Sequence, residues 1–146
     1  MLRDEYTKIF YDIVRETKDI HSLELPIHLE AYIVMLLSSF VDKPDFLPKL
    51  SFAENLLKLN KYSSLPAKDL GDVCLFVTGV FPTYNASSGL DVSYYTFVGK
   101  SSYSHVKFGL NGELFAELSD KFEYLCRFIN MSIGIDNRNQ YFNLRH

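Results

Sequence analysis

"DVSYYTFVGKSSYSH", Asp91 to His105, decides the fold, because it reads equally as a strand or as a helix. Val92, Tyr94, Thr96 and Val98 alternate as a half-buried strand does, and Gly99-Lys100-Ser101 then imitates the end of a phosphate-binding loop. At helical spacing, Val92, Tyr95, Val98, Ser102 and Val106 instead fall along one flank beside Gly99, and Asp91 stands where an N-cap belongs. A phosphate loop requires Gly-x-x-x-x-Gly-Lys-Ser/Thr, and counting back from Gly99 puts Tyr94 at the first glycine. A phenol there obstructs the cradle of backbone N–H groups, and the βαβ alternation that carries such loops is missing. The stretch is therefore read as a helix. A glycine inside it costs about 1 kcal/mol relative to alanine, which is tolerable if Gly99 lets a neighbouring helix, such as the one carrying Gly79, approach closely.

The flanking sequence reads the same way. Tyr6, Ile9, Phe10, Ile13 and Val14 recur at helical spacing among charges and predict an amphipathic helix over residues 3–18. Pro26 suits a first helical turn, and the apolar run Ala31 to Leu37 predicts a central helix reaching Val41. Lys43-Pro44 and Leu47-Pro48 end it, and a short helix is expected over Ser51 to Leu59. Pro66 opens a further helix, apolar all round from Leu70 to Phe81 and stopped by Pro82. Thr83 to Gly89, "TYNASSG", is a loop. One long helix is expected from near Gly112 to Gly134, with Leu114, Leu118, Phe122, Leu125, Ile129 and Ile133 inward and the pairs Glu117–Lys121 and Glu123–Arg127 outside. The sum is an all-α, single-domain bundle of five to six helices over residues 1–134, with residues 135–146 as a polar tail that either docks or stays mobile.

Composition bounds the function. A chain of 146 residues, 47% hydrophobic and 15% aromatic, can bury one core without staples, and its 12 Phe and 10 Tyr must fill much of it. The net charge of -3 leaves no basic stripe, which argues against nucleic acid as a partner. No apolar run approaches the roughly 20 residues that cross a bilayer, so no membrane partner is expected. The first residues lack the apolar core of a signal peptide, so the mature chain is expected to begin at Met1 and to be cytoplasmic. Cys74 and Cys126 lie in apolar periodic segments and are expected to be reduced and buried. The sequons at Asn85 and Asn130 are then coincidental.

Few residues suggest chemistry. His21, His28, His105 and His146 stand apart from other metal ligands, so no metal or other cofactor is expected. No small-residue elbow surrounds either cysteine, so no catalytic residue is assigned. What remains is a group of polar residues in apolar segments: Glu30, Asp72, Thr78, Tyr94, Tyr95, Ser102 and Tyr103. Buried carboxylates must be paired, and tyrosine hydroxyls satisfying Asp72 or Glu30 would make a structural network. The alternative is a ligand pocket lined by Asp72, Tyr94, Tyr95 and Tyr103.

"LGDVCLFVTGVFP", Leu70 to Pro82, followed by Asp91 to Tyr103, resembles a family of small uncharacterised bacterial proteins. Their pattern is a Leu-Gly-Asp helix ending in Gly-x-Phe-Pro, then Tyr-Tyr, a glycine, and a tyrosine four residues on. The resemblance spans Leu29 to Asn130, including Phe115-Ala116-Glu117-Leu118, and marks Gly71, Asp72, Gly79, Phe81, Pro82, Tyr94, Tyr95, Gly99 and Tyr103. It implies a helical fold in a bacterial cytoplasm and assigns no activity, ligand or cofactor. The aromatic content and the lack of a catalytic constellation favour a non-enzymatic module that binds a protein partner or forms a homodimer. A small-molecule binder or unrecognised enzyme built around Asp72 and the tyrosines is the alternative.

Overall fold

Proline opens two of the helices where the sequence places it. Pro26 and Pro66, at φ -56° each, are the caps of helices that begin one residue later, and their carbonyls accept from the N–H groups of Glu30 and Leu70 at 2.9 and 3.0 Å. The ring fixes φ near its helical value, and the N–H that proline lacks would have had no intrahelical partner there.

The computed structural model describes residues 2–41, 66–81, 92–106 and 112–135. Within them run α1 (Leu2–His21), α2 (Ile27–Ser39), α3 (Ala67–Val80), α4 (Val92–Ser104), α5 (Gly112–Asp120) and α6 (Phe122–Ile135), with no strand among the described residues. The all-α reading holds, and the opening stretch is α4. The expected helix over 51–59, the loop over 83–89, the cap at Asp91 and the tail lie outside the described residues. No helix among the described residues is long and apolar enough to cross a membrane.

Helices α1 and α2 form an antiparallel hairpin. Its turn uses Ser22 at φ 50° in the left-handed region, and the N–H of Leu23 closes on Lys18 O at 3.0 Å. Helices α3 and α4 are antiparallel, since Gly71 meets Tyr103 while Cys74 meets Gly99 further along. Helix α6 runs parallel to α3, with Gly79 against Ile129 and the Asn130 amide donating to Gly79 O at 3.2 Å. Gly99 does admit the helix that carries Gly79: a Cβ on Gly99 would stand 2.9 Å from Cys74 Cβ and 2.5 Å from the Phe122 ring. The fully buried Phe10, Leu29, Ile33, Leu75, Phe122 and Phe128 fill the space between the helices.

Three expectations change. The last long helix is divided at Lys121 into α5 and α6, yet Lys121 N–H reaches Glu117 O and Leu125 N–H reaches Lys121 O, both at 2.9 Å. These two bonds bracket Lys121, so the apolar periodicity carries across a break that no proline or glycine announces. Outside it, Lys121 pairs with Glu117 at 3.2 Å as expected, but Glu123 turns to Lys100 of α4 at 3.1 Å instead of Arg127. Finally, α2 is not buried all round. Ile27 is 76% and Met35 60% exposed, with exposed Ala31 between them.

Candidate functional site

Asp72 lies in the first half of α3, one turn after Lys68, where α2 and the end of α4 converge. Its Oδ1 accepts from Tyr32 Oη of α2 and from Tyr103 Oη of α4, both at 2.6 Å, and its Oδ2 accepts from Lys68 Nζ at 2.8 Å. One carboxylate thus joins three helices. Its side chain is only 14% exposed, and the short bonds are of the length expected when an O–H donates to a carboxylate.

Aromatic packing fixes the two phenols. Tyr32 and Tyr103 meet edge to face at 6.5 Å between centroids, and Phe115 of α5 packs on Tyr32 at 5.9 Å and on Tyr103 at 5.8 Å. Phe122 touches Tyr103 from α6 at 6.1 Å, and the Lys68 ammonium stands 5.8 Å from the Tyr32 ring centre. Burial, first, and then the Asp72 charge push both tyrosines well above the usual phenol range. They are held as protonated donors, which is the reverse of what a phenolate base or nucleophile requires.

Of the four residues expected to line a pocket, the structure brings together Asp72 and Tyr103. Tyr94 and Tyr95 are not among the partners of Asp72. The antiparallel register explains the miss: Tyr95 precedes Tyr103 by eight residues, about 12 Å along the axis, and so lies toward the other end of α3. Tyr95 is fully buried in the core and Tyr94 packs against it half-buried. Two members escaped the sequence reading. Lys68 could have been found from its i,i+4 spacing to Asp72. Tyr32, forty residues upstream in an apolar helix, left no such signal.

Glu30, the other acid in an apolar segment, is not met by tyrosine. It is 3% exposed and pairs with Lys18 Nζ at 2.9 Å and Arg15 Nε at 3.6 Å, both from α1. Lys18 also donates to Leu25 O at 3.3 Å, so it ties the hairpin turn to the buried acid. Both cysteines are free and buried, and burial raises both thiols, Cys126 to about 12. His28 bridges α2 to Glu117 of α5 at 2.6 Å, and this contact holds the Glu117 carboxyl below its usual range. Among the described residues no three His, Cys, Asp or Glu side chains gather to hold a metal ion.

Three surface cavities among the described residues, of about 430, 500 and 370 Å³, are lined by residues other than Asp72, Tyr32 and Tyr103. The smallest lies between α1 and α2, where Tyr11, Arg15, Asp19 and Ile27 surround the pair Lys18 and Glu30. The Asp72 cluster converges on itself. No family model, curated protein or solved structure matches this chain.

Proposed function

We propose that this chain is a non-enzymatic helical module that associates with a second copy of itself through the outer face of the α1–α2 hairpin. The reading rests on one observation: Ile27, Ala31 and Met35, spaced by four, are all exposed on α2. Residues four apart share a helix face, so the three form an apolar ridge about 12 Å long. Single exposed apolar residues need no explanation, but an aligned row of them does.

The ridge is large, small, large. Crossed on a two-fold axis at Ala31, it sets Ile27 of one copy against Met35 of the other, and Ala31 against Ala31 lets the helices approach. The neighbouring α1 face adds Tyr11 with the Arg15 guanidinium 5.2 Å from its ring centre. Tyr and Arg are the residue types that anchor such contacts. The closed Asp72 network supports the same reading, because its oxygens are taken by internal donors.

Light scattering tests it. The intact chain is expected at about twice 16.9 kDa, and Met35→Glu at 16.9 kDa with unchanged helical circular dichroism. A wild-type chain that stays at 16.9 kDa up to about millimolar concentration, where even weak association shows, rules the proposal out.

A further inference from the structure

Among the described residues, sulfur stands at Met35, Cys74, Cys126 and Met131. A cysteine ordinarily takes an oxidant first, but only as an accessible thiolate. Neither cysteine meets that condition. Cys74 is fully buried and Cys126 is 8% exposed, and burial raises both thiols, Cys126 to about 12, so both stay protonated at neutral pH. Met131 is half-buried in α6. Met35 is 60% exposed on the outer face of α2, so it is the open sulfur of the four.

Met35 is also the end of the ridge Ile27–Ala31–Met35, and its place there decides what oxidation does. A peroxide can oxidise the thioether without any other reactant. The Met35 Sδ lone pair attacks one peroxide oxygen, the O–O bond breaks and an S–O bond forms; sulfur loses two electrons, and hydrogen peroxide leaves as water. The product keeps the length of the side chain but carries a strong hydrogen-bond acceptor. On a two-fold axis at Ala31 that oxygen is pressed against Ile27 of the second copy, a side chain with no donor to offer. A polar group that gives up water without a partner weakens the contact, and the symmetry repeats the loss at both ends of the ridge.

We propose, resting on the self-association reading above, that Met35 is a reversible oxidation site that controls it: the thioether form of the chain pairs and the sulfoxide form is monomeric. The dimer covers Met35, so the monomer is the form that reacts, and each oxidised copy is withdrawn from the pairing equilibrium. A sulfoxide reductase restores the ridge, since two thiols take the oxygen away as water and become a disulfide. The buried cysteines take no part, which leaves the core unaltered while the surface changes.

Light scattering of the full chain before and after hydrogen peroxide, with peptide mass spectrometry to locate the added oxygen, tests it. Met35 is expected to gain oxygen ahead of Met131, and the dimer Kd to rise at least about tenfold, with recovery after a methionine sulfoxide reductase and dithiothreitol. Met35→Leu, which has no sulfur there, should stay paired in the same peroxide. In the wild type, the rate of Met35 oxidation should fall as protein concentration rises through the dimer Kd. In Ala31→Glu, which sets like charges on the two-fold axis, it should not change with concentration. A chain that stays paired with the sulfoxide at Met35 overturns the inference and leaves the ridge reading standing. So does oxidation of Met131 ahead of Met35, dissociation of Met35→Leu by peroxide, or loss of helical circular dichroism as the pair separates. A wild-type chain that is monomeric before any oxidant overturns the ridge reading itself, and the oxidation site with it.

Discussion

Tyr103 occupies the space of the side chain that Gly71 lacks: a Cβ built on Gly71 would stand 2.6 Å from both Cδ1 and Cε1 of the ring. The ring cannot easily retreat, since its hydroxyl is fixed on Asp72 and Phe115 and Phe122 pack beside it. The glycine therefore permits the α3–α4 crossing that forms the carboxylate cluster.

Gly71→Ala is expected to destabilise the fold by about 1–2 kcal/mol, because overpacking outweighs the helix propensity that alanine gains. Gly134, also helical, has nothing within 4 Å of the same built Cβ. Gly134→Ala should stabilise by about 0.5 kcal/mol, and paired urea titrations read the opposite signs.

The two phenols on Asp72 Oδ1 should act as a unit. Tyr32→Phe and Tyr103→Phe each remove one charge-assisted hydrogen bond, for about 1.5–2 kcal/mol. In the double variant the losses should fail to add by 0.5 kcal/mol or more, roughly the threshold for coupled neighbours. Strict additivity in a double-mutant cycle would show that the bonds are independent.

Alkali should unfold the protein through the same residues. Both tyrosines have folded values raised above the ordinary 10.0, so above pH 10 the unfolded chain gives up these protons first. Stability is full below about pH 10 and falls above it, by up to about 1.4 kcal/mol per pH unit for each phenol. Tyr103→Phe should flatten the fall in urea titrations between pH 10 and 11, and an unchanged slope would contradict the assignment.

Lys18→Met leaves Glu30, 3% exposed, with only the more distant Arg15. A loss of about 2–3 kcal/mol is expected from uncovering a buried carboxylate. Lys8, whose exposed pair with Asp12 spans 3.2 Å, is the control, and Lys8→Met should cost less than about 0.5 kcal/mol.

How much of this was legible follows from the range of each interaction. The α4 reading rested on the spacing of Tyr95, Val98 and Ser102, all of which are buried on one side of the helix. Local periodicity suffices there because burial follows the helical repeat. Asp72 also stood out, as a carboxylate among apolar residues, and the need for partners followed from desolvation alone. Which partners it found did not follow. Tyr103 reaches it across 31 positions through an antiparallel register fixed by Gly71 and Gly99, Tyr32 reaches it across 40 from α2, and nothing near Tyr94 or Tyr95 says that they fall at the wrong end. The bend at Lys121 was hidden for a related reason: neither proline nor glycine stands at it, so no helix breaker marks it.

Each of the three glycines of α3 and α4 faces a bulky neighbour, Tyr103, Ile129 or Phe122, that a side chain on it would strike. The constraint at these sites is one of shape, since even a Cβ meets a packed neighbour within 3 Å. A mutational scan of this chain would therefore show its narrowest tolerance at positions without functional groups. Ranking residues by intolerance would recover the seams of the bundle before it recovered any binding site.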